Sequence, residues 1–240
     1  MTTDPLPAVP VLAPDAGPRL DYYLVGAPDP AATVEGLLVE EFTRHPDFTT
    51  TGLDSAGWTP QDGWWSSAAL SRGVRTDPDV LARVFPTSRR EAEDVYRALG
   101  GGHLPDEPVL RTHFVDHQPI ATAPPLRLGP AQPPAGFHER RVYRVLFAKD
   151  LRAEQVASLR TAWRTPAGGT STAAASGRLD EGADQITWDL RRVGHHLAWC
   201  LDVTVLLSGA ATEVVGSTLV DLTTVLRQYG LIPVTTERFS

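Results

Sequence analysis

The stretch "RRVGHHLAWCLDVTVLL" (191–207) decides how the second half of the chain is read. Its histidines, one cysteine and one aspartate offer a metal site, a catalytic site or a strand that is polar on one side. A two-residue type II′ hairpin loop takes glycine first, and Gly194-His195 supplies it. That turn would pair Val193 with His196, Arg192 with Leu197, Leu190 with Trp199 and Trp188 with Leu201. Directly paired residues share a face of the sheet. Ile186, Trp188, Leu190, Leu197, Trp199, Leu201 and Val203 then form an apolar face. Thr187, Asp189, Arg191, His196, Cys200 and Asp202 form a polar one. A slip of one residue would mix the faces, so the pattern itself selects this register.

This geometry speaks against a metal. His195 falls in the turn, while His196 and Cys200 are separated along the strand by roughly 13 Å, too far to share one zinc ion. No metal site is expected.

Working outward, "RVYRVLFA" (141–148) alternates as a strand, and "DLRAEQVASLRTAWR" (150–164) has helical spacing with Asp150 as its N-cap. "AGGTSTAAASG" (167–177) lacks the G-K-[ST] ending of a phosphate loop and reads as a flexible connection. "QITWDLRRV" (185–193) precedes the opening strand. "TEVVGSTLVDLTTVLRQYG" (212–230) is a helix with Gly230 just past its end, and "LIPVTTERF" (231–239) is a strand that Pro233 confines to an edge. The order β-α-β-β-α-β is the ferredoxin-like arrangement, expected over residues 139–240. Helices over 151–164 and 212–229 should cover the apolar face. The polar face, joined by Arg144, would stay open.

Residues 1–19 carry prolines at 5, 7, 10, 14 and 18 and read as a disordered arm. Residues 121–138 are a Pro-rich linker, and 20–120 form a second α+β unit. In that unit "LDYYLVG" (20–26) is a strand. "AATVEGLLVEEFTRH" (31–45) reads as a helix with a stripe of Val34, Leu37, Leu38, Glu41 and Phe42. "SRREAEDVYRALGGG" (88–102) is a helix whose Ser88 and Glu91 make a capping box, and "VLRTHFV" (109–115) is a strand. The fold class is α+β throughout.

Composition narrows function by exclusion. A net charge of −7 disfavours nucleic acid, whose capture needs clustered cations. Cys200 stands alone, which excludes an intrachain disulfide or a Cys-rich zinc site. Lys149 is the only lysine, an arginine bias that points to a GC-rich bacterial genome. No signal peptide and no apolar run near the roughly 20 residues of a membrane span are seen, so the expected location is the cytoplasm.

Neither G-x-G-x-x-G nor G-x-S-x-G occurs, and no cofactor is expected. Two functions fit. The first is a cofactor-free enzyme of bacterial biosynthesis, acting by acid–base chemistry on a small organic molecule or peptide. His196 would be the acid or base, Asp189 or Asp202 its orienter, and Arg144 or Arg191 the grip on an anionic group. A second cluster, His113, Asp116 and His117, lies in "THFVDHQP" (112–119), where Asp116 would pair with a histidine from another segment. In "GWTPQDGWW" (57–65), Trp64 and Trp65 could stack on a ligand, although anchoring to the core is the commoner use of such residues. The second function is a non-catalytic accessory, immunity-type or ligand-sensing protein. Its polar face would meet a ligand, a protein partner or a second copy in a homodimer.

Overall fold

A computed structural model describes residues 20–27, 33–121, 132–165, 173–194 and 198–239. The expected arm and most of the Pro-rich linker lie outside these residues, as do His195 and His196. The described chain forms two antiparallel sheets with six helices. None of those helices is long and apolar enough to cross a membrane.

The first sheet contains β1 (Asp21–Gly26), β2 (Val34–Arg44), β3 (Thr50–Thr59), β4 (Gly63–Ser66), β5 (Val84–Thr87) and β6 (Gln118–Pro119). Its order is β4-β3-β2-β1-β5, with the short β6 also pairing β3. The helix expected over 31–45 is therefore wrong: Val34–Arg44 is a strand. β2 lies between β1 and β3 and is covered on both faces, so Leu37, Leu38 and Val39 are all buried. A strand buried on both sides loses its alternation and cannot be told from a helix by period.

One face carries Tyr22, Leu37, Val39 and Trp58. It packs on Ala92 and Tyr96 of α3 (Arg89–Ala98) and on Leu110 of α4 (Glu107–Arg111). The Ser88–Glu91 capping box forms as expected. The strand expected over 109–115 does not form. Pro108 sits in the first turn of α4, where its missing N–H is harmless, and the chain after Arg111 turns away. The opposite face buries Tyr23, Leu38 and Val84 against Val74 of α1 (Ala68–Thr76) and Ile232 from the far half of the chain. α2 (Pro78–Arg83) follows α1 directly.

The second sheet contains β7 (Glu139–Ala148), β8 (Ala175–Glu181), β9 (Asp184–Val193), β10 (Ala198–Leu207) and β11 (Ile232–Arg238), in the order β11-β7-β10-β9-β8. It has five strands where four were expected, because β8 lies wholly within "TPAGGTSTAAASGRLDEGAD" (165–184), which reads as a flexible loop. Its composition hides the reason. A Cβ on Gly177 would come within 2.4 Å of the Trp188 ring, so the bare backbone there lets the indole lie against the edge strand.

The β9–β10 register also differs. Ala198 pairs with Val193, Leu201 with Leu190 and Val203 with Trp188, leaving residues 194–197 between the strands instead of a two-residue loop. This is a shift of two. A two-residue shift keeps every side chain on its face, so the partition into apolar and polar faces survives the wrong turn. The apolar face packs under α5 (Ala153–Ala162) and α6 (Glu213–Gln228) through Leu159, Val215, Leu219, Leu222 and Leu226. Gly230 ends α6 at φ +95, and Leu231 N donates to Leu226 O at 3.2 Å. Asp150 is not the N-cap of α5. Its carboxylate instead accepts from Leu151 N at 2.8 Å, from Trp199 Nε1 at 2.7 Å and from Arg192.

Candidate functional site

The two halves meet across a charged seam. β1–β2 pairing sets Asp21 opposite Glu40, on the face of the first sheet that looks toward the second half. Glu40 is fully buried. Arg75 reaches it from α1 with both terminal nitrogens, at 2.8 and 2.7 Å, and Ser71 donates to the same carboxylate. Arg75 also donates to Pro233 O of β11 at 3.0 Å. From the other side, Arg227 of α6 pairs with Asp21 at 3.0 Å and donates to Tyr22 O at 3.0 Å. Burial pushes the Asp21 carboxyl up, and Arg227 pulls it back only in part. Burial alone would depress Arg75, but Glu40 holds it above the usual arginine range.

Arg227 Nε and Arg75 Nε are both left over in this seam. The Arg75 side chain is 9% exposed, and its Nε is buried with no hydrogen-bond partner. Arg75 also lines a groove of about 300 Å³, with Leu53, Ile120 and Val234 as apolar lining and Arg72 and Glu237 as further charged lining. The β11–β7 register jumps between Pro233 and Thr235, so Val234 is a bulged residue at the groove. Bulges re-aim side chains in this way beside functional clefts. Arg72 has no ion-pair partner among the described residues, so its cation is available to a ligand.

Sequence reasoning missed this site. Glu40 was assigned to a helix, and Arg72, Arg75 and Glu237 were not singled out. An apolar run broken by two adjacent glutamates, as in "LLVEEF" (37–42), was the signal available.

The expected polar face exists but is differently engaged. Asp202 takes Arg144 at 2.6 and 3.0 Å and Arg191 at 2.8 Å, so both arginines expected to grip an anion are committed to one carboxylate. Phe239 lies over the Arg144 guanidinium at 4.9 Å. Asp189 sits directly opposite Asp202, and burial together with that neighbouring charge raises its carboxyl. Cys200 is buried and its thiol pushed up by burial, the state of an inert cysteine. His196, the expected acid or base, lies outside the described residues.

The second cluster disperses. His113 stacks on Trp64 at 5.7 Å, and Trp64 in turn stacks on Tyr96 at 5.9 Å. Asp116 accepts from Ser66 Oγ at 2.9 Å and not from a histidine. His117 Nδ1 instead meets Asp54 Oδ1 at 2.9 Å, with the ring over Gly52. Trp65 lies against Gly57. Gln118 pairs with Leu53 and lines the groove, so the adjacent His117 belongs to the opposite face of the sheet. The His117–Asp54 pair and the groove therefore do not share a ligand. Among the described residues no group of three or more His, Cys, Asp or Glu could hold a metal ion.

No protein-family model, curated protein or solved structure matches the chain with significant similarity.

Proposed function

We propose that this protein is a small-molecule binding module whose seam groove takes an apolar amino acid or short peptide. The observation that carries this reading is the exposed cation of Arg72, without an ion-pair partner among the described residues, at the edge of an apolar hollow. Arg72 supplies the cation for a ligand carboxylate, Glu237 an acceptor for an amino group, and Leu53, Ile120 and Val234 a surface for the side chain. In this reading the second half is a ferredoxin-like frame extended by β8, and β11 serves as the wall of the groove. A ligand-sensing role in the cytoplasm of a bacterium agrees with the composition.

Acid–base catalysis is the second reading, favoured by the His117–Asp54 contact, which would fix the imidazole with Nε2 directed away from the carboxylate.

Titration of the protein with leucine, followed by backbone amide NMR, tests the first reading. Shifts are expected to concentrate at Arg72, Ile120 and Val234. Arg72→Gln should weaken binding about tenfold, the worth of one charged hydrogen bond. Shifts spread over the surface, or centred on His117, would overturn the groove.

A further inference from the structure

β8 closes the second sheet on one side, and among the described residues no strand lies beyond it. Its chain from Arg178 to Glu181 is exposed, and Leu179 is a large apolar side chain left 39% exposed. An open strand edge of this kind is a template for another strand. The opposite edge of the same sheet is unlike it. β11 carries Pro233 and a bulge, and its Thr236 N is held by Thr50 Oγ1 of the first half.

Pairing with β9 fixes which groups β8 offers. Leu179 stands opposite Ile186 and Gly177 opposite Trp188, so both continue the apolar face. Arg178 stands opposite Thr187 and Asp180 opposite Gln185, on the polar face, where the two form an exposed ion pair. The backbone alternates as well. Ser176 N donates to Thr165 Oγ1 at 3.0 Å, and that hydroxyl donates to Ser176 O at 2.8 Å. The Ser176 amide and carbonyl therefore turn away from β9, and steps of two put those of Arg178 and Asp180 on the same open side. Thr165 closes the edge at Ser176 and leaves it open beyond.

We propose that this edge is a self-association site, its occupant being β8 of a second copy of this chain, antiparallel about a twofold axis at Leu179. Charge selects that register. An axis at Arg178 would set two copies of Arg178 against each other, and an axis at Asp180 would do the same to Asp180. The axis at Leu179 sets each Arg178 opposite the other copy's Asp180, giving a symmetric set of cross-strand ion pairs on the polar face. These outward-facing residues exchange the backbone hydrogen bonds, so Leu179 meets its own copy at a non-hydrogen-bonded position, with Cα atoms about 4.5 Å apart. That contact carries the apolar layer across the axis. Charges usually protect an edge from pairing; here they are opposite in sign and complement themselves. The surface is separate from the seam groove.

The test uses the intact full-length chain. Sedimentation velocity should show a monomer–dimer equilibrium with a dissociation constant on the order of 100 µM, the weak end expected of so short a contact. Arg178→Asp places like charges opposite each other at both symmetric contacts and should weaken the dimer about tenfold. Adding Asp180→Arg to that variant restores opposite charges and should restore the dimer. Leu179→Cys should give a disulfide-linked dimer on oxidation, because its paired positions lie within disulfide reach, whereas Glu181→Cys, displaced along the strands, should not. Cys200 is buried and does not compete. A chain still monomeric at about 1 mM, a dimer indifferent to Arg178→Asp, or equal cross-linking at both cysteine positions would overturn the proposal.

Discussion

Replacing Glu40 with Gln is expected to destabilise the fold by about 3–5 kcal/mol, much of the roughly 5–15 kcal/mol by which a protein is stable. Glu40 is fully buried and takes both terminal nitrogens of an Arg75 side chain that is itself only 9% exposed. Gln keeps the shape but removes the charge, leaving a buried guanidinium without its counter-ion. Arg75 also holds Pro233 O, so the damage reaches the contact between the halves. Guanidinium denaturation of the two proteins measures the loss. The double variant Glu40→Leu with Arg75→Met separates the buried charge from the packing. It should be more stable than Glu40→Gln, because an apolar pair of similar volume often replaces a buried ion pair at little cost. A single variant within about 1 kcal/mol of the parent would mean that the pair is solvated and the seam loose.

Trp58→Ala should cost a similar amount, about 3–5 kcal/mol, through a different mechanism. Trp58 is 5% exposed, 4.3 Å from the Tyr96 ring and 6.5 Å from Trp64. Its removal opens a cavity between the first sheet and α3 and takes one ring contact each from Tyr96 and Trp64. Denaturation should show the loss, and the near-ultraviolet circular dichroism of the remaining aromatics should weaken with it. Trp65→Ala should cost clearly less, since Trp65 is only half-buried and lies on the backbone at Gly57. Equal losses for the two would contradict the assignment of Trp58, and not Trp65, to the core.

The contrast between these tryptophans shows what the sequence could disclose. "GWTPQDGWW" reads as one Pro- and Gly-punctuated loop, yet it spans two paired strands whose alternation sends Trp58 and Trp64 to one face and Trp65 to the other. Where a strand is wet on one side, as β9 and β10 are, alternation survived and the faces were legible even with the turn misjudged by two residues. Where local chemistry is self-contained, as at the Ser88–Glu91 capping box, the helix was legible outright. β2 was not, because covering on both faces erases its period. α4 was not, because five residues are too few to show one. β8 was hidden by a glycine that serves a neighbouring indole. The groove drew no attention for a related reason. Its parts come from α1, β3, β6 and β11, which only the folded chain brings together.

A crystal structure of the protein soaked with leucine bears most directly on the groove as a binding site. Its carboxylate is expected against Arg72, with the side chain on Leu53 and Val234. An empty groove, or leucine bound elsewhere, would contradict it.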